Sequence, residues 1–299
     1  MKLATTTGDF FSYTHSQALS LQYIRESGFR YADYAFSCDR KDRTGVYGED
    51  PAAYISDISK QLERLDMRLC QAHAPADKPL GDGRDALIAD TIRCVEACGA
   101  WGIPNLVVHT GYAKGITREE CFAQNKAFFT PILKAAEQYG VCILAENFNK
   151  MCREGVYWID NAPDLLSFVA YMDHPLLQAV WDVGHANMQP MPQSEALRML
   201  GKHVRALHIQ DNMGMSDSHS LPFSGTLNLD DVMTGLIDIG YDGYFTFEVR
   251  NVFSSESTRR SFEGESRLHP APLSLRLAAE RYLYELGKCV LETYHCFEE

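Results

Sequence analysis

Short runs rich in β-branched, aromatic and other apolar residues recur along the chain, each followed by a longer stretch with helical spacing. The runs are Lys2–Thr5, Tyr31–Phe36, Met67–His73, Asn105–His109, Val141–Glu146, Gln178–Asp182, Arg205–Gln210 and Tyr244–Glu248. Their starts lie roughly 30 to 40 residues apart, the length of one βα unit. Between them, Asp85–Cys98, Arg118–Tyr139, Ala162–Tyr171, Glu195–Leu200 and Leu229–Ile239 carry apolar residues at helical intervals, and Pro272–Leu291 reads as a long closing helix. Strands that are apolar on both faces and alternate with helices predict a parallel sheet covered on both sides. Eight such units predict an α/β fold, a closed (β/α)8 barrel in a single domain. The competing open, doubly wound sheet would place G-x-G-x-x-G after its first strand, and Thr6-Thr7-Gly8-Asp9-Phe10 does not match it. Gly28 and Gly140 stand where a helix gives way to the next strand, and Gly240-Tyr241-Asp242-Gly243 reads as the turn into strand eight. Phe253–Pro272 lacks periodicity and is expected to be a loop over the barrel mouth.

The polar residues that end these strands carry the chemistry. Strand three ends at His73, four at His109, five at Glu146, six at Asp182 and eight at Glu248, while strand seven contains His208. The carboxyl ends of barrel strands converge on one mouth, where active sites are built. Several carboxylates converging in a buried place are strongly unfavourable without a cation. Glu146, Asp182, His208 and Glu248 offer oxygens and one imidazole, a set suited to Mn²⁺, Zn²⁺, Co²⁺ or Mg²⁺ rather than to a thiophilic ion. His185 follows Asp182 across a turn containing Gly184, and Asp217 and His219 sit two apart in the loop after strand seven, further acid and imidazole groups near the set.

Composition narrows the partners. The 299 residues are 45% apolar and 23% charged, with 40 acidic residues against 28 Lys and Arg and a formal charge of -12. Nucleic-acid affinity comes largely from cationic contacts to phosphates, so this balance speaks against a nucleic-acid partner. No apolar run reaches the ~20 residues of a membrane span, and the first residues lack the apolar core of a secretory signal. Nine cysteines without a CxxC pair fit reduced thiols and a cytoplasmic setting. Cys94 and Cys98, one helical turn apart, read as core residues.

Taken in order, Gln71-Ala72-His73-Ala74-Pro75, Val107-Val108-His109-Thr110-Gly111, Ala145-Glu146-Asn147-Phe148, Trp181-Asp182-Val183-Gly184-His185-Ala186-Asn187, Leu207-His208-Ile209-Gln210-Asp211-Asn212 and Phe247-Glu248-Val249 resemble the xylose isomerase-like TIM barrel superfamily of sugar phosphate isomerases and epimerases. Endonuclease IV and the ketose 3-epimerases belong to the same superfamily. The resemblance spans nearly the whole chain and implies one such domain over residues 1–299. The ketose 3-epimerase pattern implies metal ligation by Glu146, Asp182, His208 and Glu248, acid/base roles for Glu146 and Glu248, and His185 beside the substrate. It implies a small carbohydrate substrate, an enediolate route and a homodimer. The endonuclease IV pattern implies a larger zinc set, matched by His73, His109, Glu146, Asp182, His185, His208, Asp217, His219 and Glu248, and a phosphodiesterase acting on abasic DNA. Ser220-Leu221-Pro222-Phe223-Ser224-Gly225-Thr226 carries one glycine of the glycine-rich stretch that endonuclease IV has there. Gln210 stands where many sugar isomerases have a His or Lys, and the epimerases' substrate-binding Arg has no counterpart in this loop.

Overall fold

The computed structural model describes residues 1–149, 157–250, 252 and 272–299. Eight strands form one parallel sheet: β1 (Lys2–Thr6), β2 (Tyr31–Ala35), β3 (Arg68–His73), β4 (Asn105–Val108), β5 (Cys142–Glu146), β6 (Leu177–Asp182), β7 (Val204–His208) and β8 (Tyr244–Phe247). The order β7-β6-β5-β4-β3-β2-β1-β8 follows the chain, with β8 returning to β1. The ring closes between β7 and β8 by a parallel bridge of Ile209 to Phe247, where Ile209 N donates to Thr246 O at 2.8 Å and Glu248 N to Ile209 O at 3.1 Å. The (β/α)8 TIM barrel expected from the alternation is therefore the observed fold, with strand limits displaced by one or two residues. Most of the segment expected to be a loop, residues 253–271, lies outside the described residues.

Local signals set the helices that space the strands. Asn161 accepts from Asp164 N at the start of Ala162–Met172, and Thr117 and Glu120 form a reciprocal capping box at the start of Arg118–Tyr139. Gly140 ends that helix with φ 67°, a left-handed conformation that glycine adopts without steric penalty. The helices Gln17–Glu26 and Pro51–Leu65 fill the first two βα units. Cys94 and Cys98 are fully buried in Arg84–Trp101, as the core reading requires. Among the described residues no helix is long and apolar enough to cross a membrane.

The core has two parts. The larger lies between sheet and helices and includes Leu21, Phe36, Phe128, Phe168 and Leu283. The smaller fills the barrel itself, where Val107, Leu144, Val180 and Ala206 pack together from β4, β5, β6 and β7. Side chains two apart on a strand share a face, so these four stand directly beneath His109, Glu146, Asp182 and His208. Removing buried methyl groups there leaves a cavity under the site. Leu144→Ala is expected to lower unfolding free energy by about 2–5 kcal/mol in urea titration. A loss below about 1 kcal/mol would mean that the layer collapses freely and does not support the residues above it.

Candidate active site

Each strand delivers its last inward-facing residue to the same mouth. Glu146 is 1% exposed, Asp182 and His208 are fully buried, and Glu248 is 5% exposed. One donor atom from each of these four lies within 4.8 Å of the others. His73, Glu146 and His208 meet the same criterion, as do His185, Asp217 and His219. The nine candidates of the sequence therefore fall into an inner group around Glu146 and an outer group around Asp217.

Glu146 is the hub. Its Oε2 lies 2.8 Å from His109 Nε2 and 3.4 Å from His73 Nε2, and its Oε1 lies 2.8 Å from His208 Nδ1. Burial alone would push this carboxyl up, but His208 and His109 outweigh it and hold Glu146 well below the usual carboxylate range. The imidazoles respond in kind. Burial disfavours charge on His208, yet Glu146 and Glu248 carry its pKa well above the ordinary value. His109 is instead pushed down by burial, which its contact with Glu146 only partly offsets. Asp182 is pushed up by burial against the opposing pull of His185.

The outer group is tied to the inner one. His185 Nε2 lies 3.2 Å from Asp217 Oδ2, and His219 Nε2 lies 3.2 Å from Asp217 Oδ1. Against burial, His185 and His219 hold Asp217 far below the carboxylate range, and Asp217 in turn lifts His219 to about 9. The Gln210 side-chain amide donates to Asp217 Oδ1 at 3.0 Å and to Asp182 Oδ1 at 3.3 Å, bridging the groups. This Gln leaves no room for a side chain at position 184, since a Cβ there would fall 2.1 Å from Gln210 Cδ. The turn expected after Asp182 is a short helix, Val183–Asn187, whose N-terminus Asp182 caps by accepting from His185 N at 2.7 Å. Asn147 fastens β5 to β6 beside it, donating to Asp182 O and accepting from Asp182 N.

The ring orientations fit a cation site. Nδ1 of His73 faces Ala74 O at 2.7 Å, Nδ1 of His185 faces Asn147 O at 2.8 Å, and Nδ1 of His219 faces Glu248 O at 3.0 Å. A ring that donates one N–H to a carbonyl presents its other nitrogen as a lone pair, the arrangement that metal-ligating histidines use. Glu146, Asp182, His208 and Glu248 bring one donor atom each within 4.8 Å and could hold one divalent cation, and His185, Asp217 and His219 a second.

Three residues of this region carry no strand-end signal. Asp33 sits mid-strand in β2, is 1% exposed, and lies 3.2 Å from His208 Nε2. A charged residue inside Tyr-Ala-Asp-Tyr-Ala, in a strand buried on both faces, was the available clue. Arg250, just past β8, is ion-paired with Glu248. Arg276 of the closing helix Leu273–Thr293 is buried, donates to Val249 O at 2.9 Å, and pairs with Asp9 and Glu280.

Comparison with known proteins agrees with this architecture. A family model described as xylose isomerase-like TIM barrel matches residues 21–264. A segment of 171 residues, 54% of the chain, is 31% identical to an uncharacterized protein of Methanocaldococcus jannaschii, of which it spans 57%. A 96-residue segment, 32% of the chain, is 35% identical to fructoselysine 3-epimerase of Escherichia coli O157:H7, spanning 35% of that protein. The chain thus matches these curated relatives over less than two thirds of their length. A D-tagatose 3-epimerase-like protein shares the fold at TM-score 0.70 and 22% identity, covering 94% of this chain and 99% of that one. D-Psicose 3-epimerase from Clostridium cellulolyticum H10, solved with D-tagatose, superposes at TM-score 0.76 and 17% identity, covering 97% and 99%. With the family model matched over most of the barrel, the chain belongs to the xylose isomerase-like TIM barrel family.

Proposed function

We propose that this protein is a divalent-metal-dependent epimerase or isomerase of a sugar or sugar phosphate. The observation that carries the reading is the juxtaposition of Glu146 and Glu248. They come from β5 and from the end of β8, far apart around the barrel, yet their donor atoms meet within 4.8 Å together with Asp182 and His208. The likeness to fructoselysine 3-epimerase over 96 residues supports carbohydrate chemistry.

A carbon acid beside a carbonyl is weak, so proton removal needs a positioned base and stabilisation of the enediolate. A divalent cation held by Glu146, Asp182, His208 and Glu248 would supply Lewis-acid charge to the substrate oxygens. Glu146 and Glu248 both sit below the usual carboxylate range, Glu248 because Arg250, His219 and His208 together overcome its burial. Both are therefore ionised near neutral pH and available as bases. In an epimerisation one carboxylate takes the proton from one face and the other returns a proton to the opposite face. In a 1,2-isomerisation a single carboxylate moves the proton on one face. The ketose 3-epimerase pattern would put His185, which lies between the groups against Asp217 and Asn147 O, beside the substrate.

A second reading, a zinc phosphodiesterase acting on abasic DNA, is favoured by one observation. His185, Asp217 and His219 form a compact trio beside the inner group, giving this chain residues for a cluster. The charge of -12 opposes it, because the protein offers little cationic surface to a duplex. Hydrolysis of an abasic duplex and the metal count separate the two.

The purified protein is expected to hold a divalent ion, and Asp182→Ala and His208→Ala are each expected to lose it. Elemental analysis showing full occupancy in both variants would overturn the assignment of the inner group. One ion per chain fits the epimerase reading, whereas two or three, with Asp217 and His219 among the ligands, would favour the cluster enzyme.

In a screen of ketoses, aldoses and their phosphates run in D2O, the turned-over substrate should acquire deuterium at the epimerised or isomerised carbon. Glu146→Gln and Glu248→Gln should each slow that reaction by roughly 10² or more, the scale of acid–base catalysis. Fast turnover without label would point to a hydride shift and remove the carboxylates from proton transfer.

A further inference from the structure

The layer beneath the site is divided. Under β4 to β7 it is apolar, formed by Val107, Leu144, Val180 and Ala206. On the opposite side it is polar and continuous: Thr246 Oγ1 donates to Gln71 Oε1 at 3.2 Å, and Gln71 Nε2 donates to Asp33 Oδ2 at 2.9 Å. These residues belong to β8, β3 and β2, so the chain of bonds crosses the barrel interior. It ends on His208, whose Nε2 lies 3.2 Å from Asp33 Oδ2. All four are buried, none more than 1% exposed.

His208 differs from its neighbours in how it is held. His73, His185 and His219 turn Nδ1 to a backbone carbonyl and keep Nε2 for the cluster. His208 is reversed: Nε2 faces the Asp33 carboxylate, while Nδ1 lies 2.8 Å from Glu146 Oε1 and 3.5 Å from Glu248 Oε2. Its ring also stacks on His73, with centroids 5.5 Å apart and planes 14° from parallel. Stacking fixes the plane of the ring but does not choose which nitrogen carries the proton. Both nitrogens face carboxylates, so the choice falls when Nδ1 is given to a cation beside Glu146 and Glu248: Asp33 is then the acceptor for the proton left on Nε2.

We infer that Asp33 is a positioning residue for the metal site: it holds the proton of His208 on Nε2 and so keeps Nδ1 bare toward Glu146, Asp182 and Glu248, with Gln71 and Thr246 keeping Asp33 in place. The inference rests on the metal-dependent reading proposed above and adds to it a residue outside the ligand set. A carboxylate behind a ligating imidazole fixes its orientation and raises its basicity, and losing such a partner typically weakens metal binding by about 10–100-fold. Asp33 meets the quartet at the His208 ring, so its loss acts through that ring.

The test is zinc affinity by competition titration of the wild type, Asp33→Asn and Asp33→Ala, together with ¹⁵N NMR of the histidine side chains. In the wild-type zinc form, His208 should carry its proton on Nε2. Asp33→Asn is nearly isosteric and should keep the melting temperature of the metal-free protein while binding zinc about 10–100-fold more weakly. Asp33→Ala should bind at least as weakly and lose the single protonation pattern of His208. Affinities within twofold of wild type in both variants would overturn the inference. So would a wild-type spectrum with the His208 proton on Nδ1, whatever the variants do. If the wild type binds no divalent ion, the metal-dependent reading fails on its own. The metal-free protein at alkaline pH, where the ring is neutral, still decides whether Asp33 biases the tautomer: Asp33→Asn should move His208 toward the Nδ1-protonated form, and an unchanged ratio would refute that role.

Discussion

Compensation of charge at Glu146 organises the mouth of this barrel. The carboxylate is buried among strand ends, and among the described residues no Lys or Arg lies within ion-pair distance of it. An uncompensated carboxylate in such a place costs several kcal/mol. Imidazoles from β3, from the end of β4 and from β7 surround it instead. Because a histidine can carry a proton or yield a lone pair, the same ring of residues can balance the carboxylate charge by protonation or surrender that role to a cation. A lysine or arginine in the same position would be locked into the first role.

Much of this architecture was legible because parallel strands buried on both faces stay apolar until they reach the mouth. Polar residues at their ends therefore stand out, and His73, His109, Glu146, Asp182, His208 and Glu248 do converge. Boundaries shifted where pairing outlasts or falls short of apolar character. Glu248, for example, lies one residue past β8 yet still bonds to Ile209. Asp33 was hidden for the opposite reason, since it lies in the middle of a strand and its partners come from β3 and β7. Ring orientation was not legible at all. The carbonyls that receive Nδ1 of His185 and His219 belong to Asn147 and Glu248, which lie far away in sequence and become neighbours only when the barrel closes.

The two halves of the layer below serve different ends. Hydrocarbon under β4 to β7 supports the ligands by packing alone, and packing is indifferent to which nitrogen of a ring is protonated. Thr246, Gln71 and Asp33 specify a direction, because Thr246 donates to Gln71 Oε1 and Gln71 Nε2 in turn to Asp33. Buried polar groups are tolerated only when they are paired, so this half is the less forgiving of substitution.

Asp182 gives the site a mechanical property as well as a ligand. One of its oxygens caps the helix Val183–Asn187 at the N–H of His185, and that same His185 reaches Asp217 in the outer group. Asp182 thus gears the inner group to the outer one through the backbone, beside the side-chain bridge that Gln210 makes. A change in what Asp182 holds is passed to His185 through the peptide backbone, without any rearrangement of the loop that carries Asp217 and His219. Asp182 cannot be retuned without also moving the ring beside it.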